Sequence, residues 1–296
     1  MRPVLITGAT GYIGRHLAKV LAVETEVHVL VRNGSDVSSL SAHPNIKLHF
    51  YNGNYAEMKN ALAIARPDTV FHLAANQLYE HSGDTIDVLL NTNITMGTHL
   101  LEAMKEADCH VLINTGTYWQ HQLDEIYSPA CLYAATKQAF EAIVEFYTAA
   151  HNFRVITLLL FDVYGPNDPR KKILTLLYEA AVTKEVVALS PGQQKLNLVY
   201  IDDVVDAYRQ ARNILLESSK SGHQRFYITG EQTLSLKELV SLYETLLGKK
   251  IPLQWGGKPY KKMEVMNPWT GGQSLPGWRA KIDLAKGLQQ IISSQS

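Results

Sequence analysis

The run Val4-Leu5-Ile6-Thr7 leads directly into Gly8-Ala9-Thr10-Gly11-Tyr12-Ile13-Gly14 and then into an amphipathic stretch from Arg15 to Leu21. No other feature restricts the fold as much. A continuous apolar run marks a strand buried on both faces, and here the glycines lie where that strand turns into a helix. Without Cβ atoms, Gly8, Gly11 and Gly14 permit a tight turn, close approach of the backbone to a pyrophosphate, and close packing of helix on strand. The helix N-terminus adds free N–H groups and the positive end of its dipole. Thr10, Tyr12 and Ile13 share this loop. The order strand, glycines, helix predicts a dinucleotide site at the head of a doubly wound parallel α/β sheet.

The second predicted strand, Glu26 to Val31, ends at Arg32-Asn33-Gly34-Ser35. An NAD site usually carries an acidic residue here, for the ribose 2′-hydroxyl. The arginine suits a 2′-phosphate instead, since its forked donors match that anion, and Ser35 adds a hydroxyl. The expectation is NADP(H), with NAD(H) and an adenine-stacked Arg32 as the alternative. Further strands are expected at 46–50, 68–73 and 110–114. Asn54 follows the third strand and is expected to reach the adenine. Leu73-Ala74-Ala75 at the end of the fourth strand leaves room for the cofactor backbone. A long helix is expected over 91–104, with Asn91 and Asn93 near its start. Asn93 is either helix-terminal or a support for the catalytic groups.

Tyr133-Ala134-Ala135-Thr136-Lys137 carries the chemistry. Positions four apart on a helix share a face, which sets the Lys137 ammonium beside the Tyr133 phenol. A neighbouring positive charge is expected to lower the phenol's pKa and make it a general acid or base near neutrality. Thr115, at the carboxyl end of the fifth strand, is expected to converge with both beside the nicotinamide.

Composition excludes several other classes. The 296 residues carry 28 Lys+Arg against 28 Asp+Glu, so there is no basic surplus for nucleic acid. Two cysteines, Cys109 and Cys131, argue against a disulfide framework and a structural zinc site, and no metal is expected. No apolar run reaches the ~18 residues of a membrane span, and the start of the chain leaves no room for a secretory leader, so the cytoplasm is the expected location. The composition changes after Gly165-Pro166-Asn167-Asp168-Pro169, a structure-breaking stretch. The expected division is a dinucleotide-binding domain over 1–165, to which 193–218 returns, and a smaller substrate domain formed by 166–192 and 219–296.

The motifs TGATGYIG (7–14), HLAA (72–75), INTGTYW (113–119), YAATK (133–137), FDVYGPND (161–168) and LVYIDDVVDA (198–207) follow one another along most of the chain. In content and order they resemble the extended short-chain dehydrogenase/reductases, the branch working mostly on nucleotide-activated sugars. The resemblance implies a Rossmann fold, Thr115 in the catalytic Ser/Thr place, and Tyr133 as proton donor with Lys137 as its tuner. It also implies cofactor contacts from Phe161 and Val163 and substrate contacts from Thr117 and Asp162. A homodimer through helices at 91–106 and 133–150 is implied as well. Two departures matter. The dehydratases of this family follow the catalytic Thr with Asp-Glu, whereas here Gly116 and Thr117 stand there, so dehydration is not expected. Many relatives place a diphosphate-binding arginine where this chain has Leu196; Arg170, Lys195 and Arg279 are the candidate replacements. The strand end 116–119, FDVYGPND and the MNPWT…LPGW tail most resemble the CDP-abequose and CDP-paratose synthase type. Those enzymes are 4-ketoreductases of a CDP-4-keto-dideoxyhexose, which implies hydride delivery from NADPH to a sugar C4 ketone. The alternatives are a nucleotide-sugar 4-epimerase holding NAD, and a non-catalytic NADP-sensing regulator on the same fold.

Overall fold

The computed structural model describes residues 2–124 and 126–295. Twelve strands are described: β1 (Val4–Thr7), β2 (Val27–Val31), β3 (Ile46–Phe50), β4 (Thr69–His72), β5 (Val111–Thr117), β6 (Arg154–Leu160), β7 (Asp162–Tyr164), β8 (Val187–Leu189), β9 (Lys195–Tyr200), β10 (Gly222–Ile228), β11 (Thr233–Ser235) and β12 (Leu253–Trp255). The helices are α1 (Tyr12–Leu21), α2 (Ser38–Ser41), α3 (Tyr55–Ala65), α4 (Gly83–Leu90), α5 (Met96–Glu106), α6 (Leu132–His151), α7 (Ile173–Thr183), α8 (Ile201–Glu217), α9 (Leu236–Leu247) and α10 (Leu284–Gln295).

Seven strands form one sheet in the order β3-β2-β1-β4-β5-β6-β10, and every pairing in it is parallel. This is a doubly wound Rossmann sheet. The strand order reverses between β1 and β4, opening a crevice at their carboxyl ends. The inner strands β1, β4 and β5 are buried along their whole length because helices cover both faces. One core gathers α1 and α8 with much of the C-terminal chain; the other gathers α3, α5 and α6. The remaining strands form two small sheets, β11-β9-β7 and β12-β8, the first of them entered from the carboxyl end of β6 through β7. No helix among the described residues is long and apolar enough to cross a membrane.

Three elements differ from the sequence reading. Strand β10, placed by sequence in the smaller unit, pairs with β6 from Gly222↔Arg154 to Ile228↔Leu160 and closes the large sheet. Strand β5 continues to Thr117 because β6 stays beside it as far as Leu160. The helix expected from Asn91 starts at Gly83 and runs to Glu106, with a π-helical turn over Asn91–Thr95. Both asparagines are therefore internal, in a bulge of the kind that often marks functional sites.

Candidate active site

The glycine loop has the geometry its sequence predicts. Gly8 has φ +73, and a Cβ there would lie 2.6 Å from the Ala74 nitrogen. A Cβ on Gly14 would collide with the Gly8 carbonyl, so this glycine lets α1 pack against the turn. Gly11 faces the crevice and borders two cavities. A glycine-lined turn at a helix N-terminus is the cradle a pyrophosphate requires, so these residues fit a dinucleotide.

Three cavities share walls and form one trench along the carboxyl ends of the strands. The first, of about 350 Å³, is bordered by Gly8, Thr10, Gly11, Arg32, Ser35, Leu73, Ala74 and Ala75. The second, of about 250 Å³, adds Tyr12, Ile13, Gly14, Thr115, Thr117, Tyr133, Lys137, Phe161, Asp162, Val163 and Arg170. The third, of about 310 Å³, leads outward past Asp162, Lys172, Ile173, Leu196, Leu198 and Ile291. Gln77 borders all three. The predicted 2′-phosphate end, the predicted catalytic groups and the predicted substrate end thus follow one another in that order.

Tyr133 and Lys137 lie in the first turns of α6 and are both buried. Burial reverses the expected tuning. Desolvation is the leading cause at both groups: it pushes the Tyr133 phenol above its ordinary value and the Lys137 ammonium down to about 8. Removing both from water favours both neutral forms, and Cys131 adds to the upward shift of the phenol. Glu141, one turn further along α6, pulls the Lys137 value upward. Its buried carboxylate is held by Arg225 Nε at 2.6 Å and Gln120 Nε2 at 2.8 Å.

Thr115 and Thr117 share one face of β5, as alternation requires. Thr115 Oγ1 donates to the His72 carbonyl at 2.8 Å and lies 2.6 Å from the Tyr208 hydroxyl. Thr117 Oγ1 accepts from the Trp119 amide at 3.3 Å. The Trp119 indole stands edge-on to the Tyr133 ring, 6.2 Å between centroids. Asn93 supports the site without lining it. Its side chain accepts from the Asn76 amide at 2.8 Å and donates to Thr136 Oγ1 at 2.9 Å, linking the β4 exit to α6.

Several expected contacts lie elsewhere. Asn54 caps α3, accepting from the Ala56 amide at 2.9 Å, so its carboxamide is used within the loop. Asn33 borders none of the three cavities; its amide donates to Asn52 Oδ1. On β9, Leu196 and Leu198 line the outer cavity, and the period of two sends Lys195 and Asn197 to a separate hollow on the other side. Arg279 is exposed and borders no cavity described here. Its segment is held at α8, where Trp278 Nε1 donates to the Asp203 carbonyl and the Lys281 and Ile282 amides donate to the Asp203 carboxylate.

Of the three candidate cations, Arg170 alone reaches the trench. Its guanidinium forks onto Asp168 at 2.7 and 2.6 Å and stacks 4.9 Å from the Tyr12 ring. Lys172, which sequence reasoning passed over, borders both the central and outer cavities. It uses one N–H on the Val163 carbonyl at 3.3 Å. Desolvation lowers its pKa and, nearby, raises that of Asp162, whose carboxylate accepts from the Tyr118 hydroxyl at 3.1 Å. The only sequence signal for Lys172 was its place just after the break at Gly165-Pro166. Tyr208 had none, being one apolar-face position among many on α8.

Residues 4–223 match the model of the NAD dependent epimerase/dehydratase family. The chain is 30% identical over 275 residues to a CDP-abequose synthase of Yersinia pseudotuberculosis, covering 90% of this chain and 91% of the relative. A solved UDP-glucose 4-epimerase of Thermotoga maritima, with UDP-glucose, is similar with a TM-score of 0.84 at 24% identity, over 99% of this chain and 98% of that one. A UDP-glucuronic acid 4-epimerase from Bacillus cereus, in complex with UDP-glucuronic acid and NAD, gives 0.85 at 22% identity over the same shares. These two structural likenesses concern the fold.

Proposed function

The chain belongs to the NAD dependent epimerase/dehydratase family and is an NAD(P)-dependent oxidoreductase-type enzyme, and from that premise we propose that it reduces the C4 ketone of a nucleotide-activated deoxyhexose, CDP-linked, with NADPH. The observation that carries the reading is the trench. It runs from Arg32 and Ser35, through Thr115, Tyr133 and Lys137, to Lys172 and the apolar wall of Leu196 and Leu198.

Arg32 and Ser35 hold the 2′-phosphate, Gly8 to Gly14 hold the pyrophosphate, and Lys137 faces the nicotinamide ribose. When bound, the reduced nicotinamide supplies a hydride. Tyr133 then gives its phenolic proton to the oxygen that becomes the C4 hydroxyl. A phenol kept protonated by burial suits a donor, because the alkoxide it meets is far more basic than phenolate. The Thr115 and Thr117 hydroxyls face the same oxygen, as donors placed where negative charge develops. With leucine at position 196, Lys172 takes the substrate's diphosphate; Arg170 is already neutralised by Asp168. Neither Gly116 nor Thr117 can act as the acid/base pair of a dehydration.

The test is loss of NADPH absorbance with CDP-4-keto-3,6-dideoxyglucose, beside NADH and a Tyr133→Phe control. Oxidation that matches the sugar consumed, favours NADPH, and falls at least ~100-fold in the variant is the expected result. Interconversion of a 4-epimeric sugar pair without net oxidation would transfer the case to an NAD-holding 4-epimerase. Silence in both assays would overturn the substrate assignment.

A further inference from the structure

Tyr208 is, with Tyr243, among the largest fully buried side chains of the described residues. It projects from the middle of α8 toward the sheet, its ring edge-on to Phe71 at 6.3 Å between centroids. Packing alone does not require its hydroxyl. A phenylalanine would fill the same space, and a buried hydroxyl is costly unless it is paired. This one is paired with Thr115 Oγ1, at 2.6 Å.

The direction of that bond follows from counting protons. Thr115 has one hydroxyl proton, and it points at the His72 carbonyl 2.8 Å away, a group that can only accept. The bond to Tyr208 therefore runs from the phenol to the threonine oxygen. Thr115 Oγ1 is thus fixed on its core side while its other side faces the central cavity. When a carbonyl oxygen arrives there, only the threonine proton has to turn, from the His72 carbonyl to the substrate. The oxygen stays where Tyr208 holds it. Hydrogen bonds in series polarise one another, so a hydroxyl that accepts from a phenol is itself a stronger donor.

We propose that Tyr208 is a positioning residue for the reaction: its phenol fixes the Thr115 oxygen and strengthens the Thr115 hydroxyl as the donor to the substrate carbonyl. This rests on the ketoreductase reading above. Tyr208 touches neither substrate nor cofactor and acts only through Thr115. Thr117, two residues along the same face, accepts from the Trp119 amide at 3.3 Å rather than from a phenol and is the internal comparison.

The test is a double-mutant cycle of Tyr208→Phe and Thr115→Ala in the full-length enzyme, read as kcat and KM separately. Losing one net hydrogen bond predicts a fall in kcat of about tenfold for Tyr208→Phe. KM for the sugar and the NADPH dissociation constant should stay within about twofold, because the ring and its packing remain. In the Thr115→Ala background the same substitution should cost less than about twofold, and in a Thr117→Ala background its full effect should persist. A second readout needs no turnover: the Thr115 methyl signal in threonine-labelled protein should report one rotamer in the wild type and averaging in Tyr208→Phe. Equal losses with and without Thr115, a rise confined to KM, or an unchanged Thr115 signal would each overturn the inference. Wild-type enzyme inert toward the ketosugar would overturn the reading beneath it, and the Thr115 signal would then decide the positioning role alone.

Discussion

Replacing Lys137 with methionine should destroy activity and make the protein more stable. The side chain is 2% exposed, so solvent screening does little for it, and its pKa falls from 10.5 to about 8 with desolvation as the leading cause. At ~1.36 kcal/mol per pH unit, the gap between 10.5 and 8 means that keeping this ammonium charged costs the folded state about 3 kcal/mol. The group is a base whose folded value lies below its unfolded value, so between pH 8 and 10.5 the unfolded chain binds more protons and stability rises with pH. The cost is fully present below about pH 8 and has gone by 10.5. Methionine fills a similar volume without charge. Thermal unfolding at pH 7 should show Lys137→Met melting on the order of 5 °C above wild type, with the difference shrinking as the pH is raised toward 10. Equal melting temperatures at pH 7, or a difference that does not change with pH, would refute the claim that a strained buried charge has been kept for chemistry.

Two further outcomes test the ends of the trench. Arg32→Glu should weaken NADPH at least about tenfold and NADH far less, measured by fluorescence titration, because a carboxylate repels the 2′-phosphate that a guanidinium binds. Lys172→Met should raise KM for the sugar nucleotide about ten- to a hundredfold while leaving NADPH binding alone, whereas Arg279→Ala should change neither; steady-state kinetics on the three proteins separates a diphosphate contact from a surface charge.

The parts of the site written in backbone chemistry were legible in the sequence. Gly8 and Gly14 are glycines because a Cβ would meet the Ala74 nitrogen or the Gly8 carbonyl, and that necessity leaves a signature readable without coordinates. That Tyr133 and Lys137 border the same cavity was legible for a similar reason, since helix geometry alone puts positions four apart on one face. What stayed hidden depended on partners distant in sequence. Strand alternation puts Lys195 and Leu196 on opposite faces, but no local pattern reveals which face looks into the trench, because that is set by where β9 pairs with β7 and β11. None assigns β10 to the large sheet, since its partner β6 lies more than sixty residues earlier.

The sign of the Tyr133 shift failed for a different reason. Spacing gives the nearest charge but says nothing of the water removed from both groups, and the desolvation term grows with burial that only the assembled core supplies. That failure bears on the direction of the chemistry. A phenol near neutral pKa serves equally as acid or base and leaves reduction and epimerisation balanced. One raised by burial begins protonated, and a protonated Tyr133 can complete a ketone reduction but must first lose its proton to start from an alcohol. The same burial lowers Lys137 to about 8, so in the proposed reduction both groups are shifted toward giving a proton, with Thr115 held by Tyr208 beside the oxygen on which that proton would land.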